Sequence, residues 1–160
     1  MMREIRRKDR ILDEERAMQI LVEGEYGFLS MANVDGGGYG VPMSYVIHGN
    51  SIYFHCAKEG HKIENILWDN RVTFTVIGKA RVIPKIFTFG YESAMVFGTI
   101  EHNLPAEERL LMLNMFLKKY SPNAGINGEK YIKGLFDRTE LLKMNIEIIR
   151  GKTKKIPDMV

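Results

Sequence analysis

Val41-Pro42-Met43-Ser44-Tyr45-Val46-Ile47-His48-Gly49-Asn50-Ser51-Ile52-Tyr53-Phe54-His55-Cys56-Ala57 is the stretch that decides the fold class. Val41, Met43, Tyr45 and Ile47 alternate with Pro42, Ser44, Val46 and His48, the period of a strand with two unlike faces. Gly49-Asn50 supplies a turn, after which Ile52, Phe54 and Cys56 alternate with Tyr53, His55 and Ala57, so the segment predicts an antiparallel hairpin. The same alternation places Cys56 inward with Ile52 and Phe54, as a buried structural thiol, and His55 on the opposite face. Pro42 has no N–H to give a ladder. An edge position or a bulge explains it, and the unpaired backbone beside it would also suit a flat heterocycle lying along the sheet.

The pattern extends in both directions. Toward the N-terminus, Ala17, Met18, Ile20, Leu21 and Val22 predict a helix over 13–23, stopped by Gly24. A strand over Gly27–Ala32 follows, with a hairpin turn over Asn33–Gly38. Toward the C-terminus, Ile63, Ile66 and Leu67 predict a short helix over His61–Trp68. Val72, Phe74 and Val76 restart a strand. Tyr91–Glu101 forms another, with Tyr91, Ser93, Met95 and Phe97 facing one way, and the segment between the two is undetermined. Pro105 opens a helix with a stripe of Leu110, Leu113, Leu117 and Tyr120, closed by Ser121-Pro122. A further helix over Glu129–Phe136 precedes a final strand in which Leu142, Met144, Ile146 and Ile148 alternate. Phe28, Phe54 and Phe74 are expected in the core. The sum is a single domain, 1–160, mainly β and antiparallel with a few helices. It fits a closed or partly split barrel better than a doubly wound parallel sheet.

Composition narrows the function classes. The 160 residues are 45% hydrophobic and 27% charged, as expected of one globular domain with a real core. No apolar run is long enough for a membrane helix, the densest (Leu110–Leu117) being broken by Asn114. The basic opening, with Arg3, Arg6, Arg7, Lys8 and Arg10, runs into Asp13, Glu14 and Glu15 instead of the apolar stretch of a signal peptide. Cys56 is the single cysteine and cannot form an internal disulfide, which suits a cytoplasmic protein. A net charge of +3 without a recognition helix, zinc-finger spacing or RNA motif argues against nucleic acid, so the basic arm reads as solvated. His55, Cys56 and His61 do not make a metal site, because the first two point to opposite faces and no fourth ligand is evident. Gly36-Gly37-Gly38-Tyr39-Gly40 is followed by a strand where a phosphate loop needs a helix, and reads as a turn.

The chemistry concentrates in Lys58-Glu59-Gly60-His61-Lys62-Ile63-Glu64-Asn65-Ile66. A helix start offers free N–H groups to an anion, and Lys62 adds a full positive charge in the first turn. Asn65 lies one turn on from His61 and Lys62, so the three side chains are able to converge on one bound group. The plainer alternative is that Lys58, His61 and Lys62 merely solvate an exposed helix.

These segments resemble the pyridoxamine 5′-phosphate oxidase-like family of flavin-binding split barrels, in particular its nitroimidazole-resistance branch. The resemblance spans most of the chain. It covers the opening Met2-Arg3-Glu4-Ile5-Arg6-Arg7-Lys8-Asp9-Arg10, Gly27-Phe28-Leu29-Ser30, Val41–Tyr45, Ile52–Ala57 with Gly60-His61-Lys62, Tyr91–Gly98 and Ile149-Arg150-Gly151-Lys152. It implies a homodimer with FMN at the subunit interface, the phosphate near Lys62 and the ring along the backbone of Val41, Pro42, Met43 and Ser44. His55, Ala57, His61, Asn65 and Ser93 would line the site, with Tyr45, Trp68 and Tyr91 able to border the ring. Asp69-Asn70-Arg71 replaces the family's usual Asn-Pro, and Ser44 a common Asn, departures that bear more on substrate than on cofactor.

The implied activity is reduction of a small electron-poor substrate, such as a nitroaromatic, with electrons from reduced nicotinamide. FMN carries the redox chemistry, so no catalytic acid or base is nominated. The alternative is a non-catalytic module that binds flavin or haem, with His48, His55, His61 and His102 as conceivable iron ligands.

Overall fold

The computed structural model describes residues 4–154, so Met2 and Arg3 of the basic opening lie outside it. Its strands are β1 (Ile11–Leu12), β2 (Tyr26–Ala32), β3 (Gly38–Ser44), β4 (Val46–His48), β5 (Ser51–Ala57), β6 (Arg71–Ile83), β7 (Thr88–Glu101) and β8 (Thr139–Lys154). Helices α1 (Glu14–Glu23), α2 (His61–Trp68), α3 (Ala106–Tyr120) and α4 (Gly125–Leu135) punctuate them. The strands form one antiparallel sheet in the order β3-β2-β6-β7-β8-β5-β4, with β1 added to β8.

β3 and β4 occupy opposite ends of that order, yet only Tyr45 separates them in sequence. The sheet must therefore curl until its ends approach, and β3 comes up beside β5 without pairing to it. The result is the split barrel expected from the sequence. The strand expected over 41–48 is two strands with a corner at Tyr45. The Tyr45 ring is fully buried, packs edge-on to Phe74 at 4.8 Å between centroids, and its hydroxyl donates to the Leu21 carbonyl. This overturns its expected place at a cofactor ring.

Two charged or polar groups of α3 hold the corner. The Tyr45 N–H donates to the Tyr120 hydroxyl at 2.9 Å. The Lys119 ammonium donates to the carbonyls of Gly24 (2.7 Å) and Tyr45 (3.1 Å) and lies 4.1 Å from the centre of the Tyr45 ring. Burial pushes the Lys119 ammonium pKa down.

The barrel interior is filled by alternate residues of the long strands. Leu29, Phe74 and Val96 form one inward row across β2, β6 and β7, each fully buried, and Phe54 meets Phe74 edge-on at 4.9 Å. Each such side chain contributes about 1.5–3 kcal/mol of burial. The next row, Phe28, Thr75, Met95 and Arg150, faces outward, and Phe28 is 49% exposed. The expectation of a core Phe28 fails because Leu29 and Met31 take the inward phase of β2. Cys56 packs half-buried against the interior cluster, as the alternation implied, and burial pushes its thiol pKa up.

β8 runs from Thr139 to Lys154, well beyond the expected strand, and pairs with β1, β5 and β7. A bulge between Phe97 and Gly98 leaves Glu147 as the extra residue. Leu142, Met144 and Ile146 point inward before it. Ile148 falls on the outer side after it, and Gly151 and Thr153 become the buried positions. Gly98 is required there, since a Cβ would stand 1.9 Å from the Asn145 carbonyl oxygen. The undetermined 77–90 segment is the continuation of β6 and β7 as a long hairpin, with its own bulge between Ile77 and Ala80.

α3 lies on the outer face of β4 and β5, burying Met112 and Phe116 against Val46, Tyr53 and Leu141. The expected stripe is not the buried face: Leu110 is 46% exposed, and Leu113, Leu117 and Tyr120 border a cleft beside α4. α4 starts at Gly125, four residues ahead of the expected helix. No helix among the described residues is long and apolar enough to cross a membrane.

Candidate functional site at the split edge

Where the barrel is split, β3 has a ladder partner on one side only, β2. Pro42, opposite Phe28 of β2, is therefore tolerated on an edge strand, and the free side of Val41–Ser44 is not consumed by pairing within the sheet. Across the gap, β5 ends at Ala57 and the chain turns through Gly60 into α2. Gly60 caps that helix at φ 119°, a backbone region that favours glycine, and supplies no capping side chain. Its carbonyl accepts the N–H groups of Ile63 and Glu64, which leaves the His61 and Lys62 N–H groups as open donors at the helix start.

The Lys62 ammonium reaches over the gap to the Met43 thioether at 3.4 Å. Sulfur is a weak acceptor, and no carboxylate pairs with Lys62 among the described residues. The charge is felt nearby. Desolvation by its packed neighbours, and secondly Lys62, push the His55 imidazole pKa down from its ordinary value and so favour its neutral form, while Lys62 opposes the upward push of burial on Cys56. His61 packs edge-on against Tyr39 of β3 at 4.9 Å and faces Glu64 at 3.7 Å. His55 packs edge-on against Phe116 at 4.7 Å.

One chain thus brings Val41, Pro42, Met43, Ser44, His55, Ala57, His61 and Lys62 to the two lips of one gap. Asn65 lies behind them, fully buried. Its side-chain oxygen accepts the Val34 N–H at 3.1 Å, which ties α2 to the β2–β3 turn, and its Nδ2 has no partner among the described residues. Ser93 is elsewhere. It sits on the outer face of β7 opposite Lys152 of β8, whereas His55 is opposite Leu141 of the same strand. At about 3.3 Å per residue those two positions are separated by some 35 Å of β8. Tyr91 shares that distant outer face and stacks on Phe89, and Trp68, 56% exposed, lies at the far end of α2. Sequence reasoning missed Phe116, Lys119 and Tyr120, which reach the site from α3 through contacts more than 50 residues long and leave no local signal. Among the described residues no three His, Cys, Asp or Glu side chains gather as for a metal ion.

Comparison with known proteins agrees with this architecture. The chain overlays a candidate 5-nitroimidazole antibiotic resistance protein from Bacteroides thetaiotaomicron with TM-score 0.76 and 23% identity, over 90% of this chain and 86% of the other. A FAD-binding protein from Mesorhizobium loti gives 0.67 and 23%, over 91% and 98% of the two chains. The FAD and heme binding protein from Mycobacterium smegmatis gives 0.74 and 16%, over 92% and 75%. At these identities the overlays establish the fold alone. No curated protein matches the sequence. The family model for pyridoxamine 5′-phosphate oxidase matches residues 13–153, nearly the whole described chain, and the protein therefore belongs to the pyridoxamine 5′-phosphate oxidase family.

Proposed function

We propose that the chain binds FMN at the split edge, between two copies of itself, and serves as a flavin-dependent reductase of a small electron-poor substrate of the nitroaromatic kind, supplied by reduced nicotinamide. The observation that carries this reading is Lys62: an ammonium beside a helix start with no side-chain cap, with a thioether as its nearest partner, is the chemistry a phosphate dianion requires. His61 and Lys62 would hold the phosphate, and the unpaired side of Val41–Ser44 would meet the polar edge of the ring. Bound flavin supplies the two-electron chemistry. The protein holds it, keeps water from one face and presents the His55 imidazole at the opposite lip. The similar proteins described as binding FAD, or FAD and haem, favour a cofactor in this fold without fixing which one.

Two features support assembly as a homodimer. The outward row carries Phe28 (49% exposed) and Met95 (39%), flanked by Tyr26 (63%) and Ile77 (57%), which group exposed apolar side chains on one face of the sheet. Ser93 belongs to the same face and would reach a flavin site only from a second copy.

Reconstitution tests the reading. Protein soaked with FMN, FAD or haemin and then desalted is examined by absorbance and sedimentation. Retained FMN, a dimer, and anaerobic oxidation of reduced nicotinamide with a nitroarene are expected. Colourless protein after FMN refutes the cofactor. A single sharp intense band after haemin, with no flavin uptake, would favour the haem-binding alternative.

A further inference from the structure

Between α3 and α4 the structure has a cleft of about 420 Å³ that opens at the split edge. Phe116, Leu117, Ile132 and Leu135 supply its apolar walls, and Ser44, His55, Ser121 and Thr139 its small polar groups. No Asp, Glu, Lys or Arg side chain lines it. Two neighbouring charges are engaged elsewhere, Lys119 by the carbonyls of Gly24 and Tyr45 and Arg109 by those of Phe136 and Thr139, while Lys62 stands outside the lining and acts on His55 only through its field. The His55 imidazole stands edge-on to Phe116, which fixes its plane, and neither it nor the Ser44 hydroxyl has a side-chain hydrogen bond among the described residues. The expected apolar stripe of α3 is spent largely here: Leu113, Leu117 and Tyr120 line the cleft, Leu113 also packing against the core beneath α3.

A pocket of this size with mainly apolar walls and a few uncharged polar groups selects its ligand by shape and by the absence of charge. We propose that the cleft is a binding subsite for an uncharged, flat aromatic molecule bearing one polar substituent, which it seats between α3 and α4 with the substituent at Ser44 and His55. Its role as the substrate subsite of the flavin centre rests on the reading above, because Ser44 and His55 belong to both. An anionic ring would lose its hydration against the α3 and α4 walls, which carry no cation among the lining residues to meet it. The subsite therefore excludes a carboxylate analogue of a substrate it accepts as the alcohol.

Calorimetric titration with 2-naphthylmethanol and 2-naphthoate, on protein with and without FMN, tests this. The alcohol is expected to bind at least tenfold more tightly than the carboxylate. Leu135→Glu, and Tyr131→Glu at the exposed mouth, are expected to weaken the alcohol tenfold or more while leaving FMN affinity within twofold. Equal binding of the two probes, or unchanged alcohol affinity in both variants, overturns the subsite. Alcohol binding to a protein that takes up no FMN keeps the cleft but removes its role beside a flavin. FMN uptake without alcohol binding removes the cleft and leaves the flavin reading standing.

Discussion

The corner at Tyr45 yields the sharpest stability prediction. Tyr120→Phe removes one oxygen and leaves the ring, which stacks on Phe116 at 5.9 Å, in place. That oxygen accepts the Tyr45 N–H at 2.9 Å and has two carbonyls in reach, Tyr45 at 2.7 Å and Glu25 at 2.6 Å, of which its single proton serves one at a time. In the variant the Tyr45 carbonyl keeps Lys119 as a donor, but the Tyr45 N–H, on a residue with no exposed surface, is left without an acceptor. An orphaned buried donor costs about 1–3 kcal/mol. For a domain of this length, about 2 kcal/mol lowers the melting temperature by roughly 4–8 °C. Thermal unfolding followed by circular dichroism reads the shift, and amide exchange at Tyr45 should quicken with it. A melting temperature within about 1 °C of wild type, with Tyr45 exchange unchanged, would show that the hydroxyl does not hold the corner.

Lys62→Ala should weaken FMN about tenfold to a hundredfold, the value of a charge-assisted contact, and leave riboflavin, which lacks the phosphate, unaffected. Fluorescence titration distinguishes the two, and equal losses for both ligands would contradict a phosphate at Lys62. Gly98→Ala drives a Cβ into the Asn145 carbonyl oxygen, where backbone cannot yield, and should lower stability by about 3 kcal/mol in denaturant titration. His55 has a folded pKa depressed by burial and by Lys62, so the unfolded chain binds the proton more readily. Stability is then complete above the unfolded value near 6.5 and declines as pH falls below it toward the folded value. His55→Gln should flatten that decline in melting curves between about pH 7 and 5, and an unaltered slope would assign the decline to other groups.

Local chemistry was legible wherever one residue type dictates one conformation. Gly49-Asn50 does form the turn that pairs His48 with Ser51, and α2 does run from His61 to Trp68. What could not be read is what depends on register or on a distant partner. Phe28 and Leu29 are equally apolar, and only pairing of β2 with β6 decides which faces inward. α3 is apolar on more than one face, so its sequence cannot say that Met112 and Phe116 are buried while Leu113 and Leu117 border a cleft. The Glu147 bulge reverses the phase of β8 without any glycine or proline in its own strand near that point; the glycine that permits it, Gly98, is on the neighbour. At the site, Lys62 was legible from the helix start it occupies, whereas its approach to Met43 and the remoteness of Ser93 follow from tertiary pairing.

The placement of β8 also governs how the molecule comes into being. Residues 139–154 are synthesised after the other strands of the described sheet, yet they lie between β5 and β7 and carry β1. Until that segment leaves the ribosome, two strand edges stay open and the nascent sheet is in two pieces with its apolar interior uncovered. Closure then waits on contacts between residues far apart in sequence, the slow kind. Nascent chains halted before residue 139 are the species most exposed to aggregation and most dependent on chaperones.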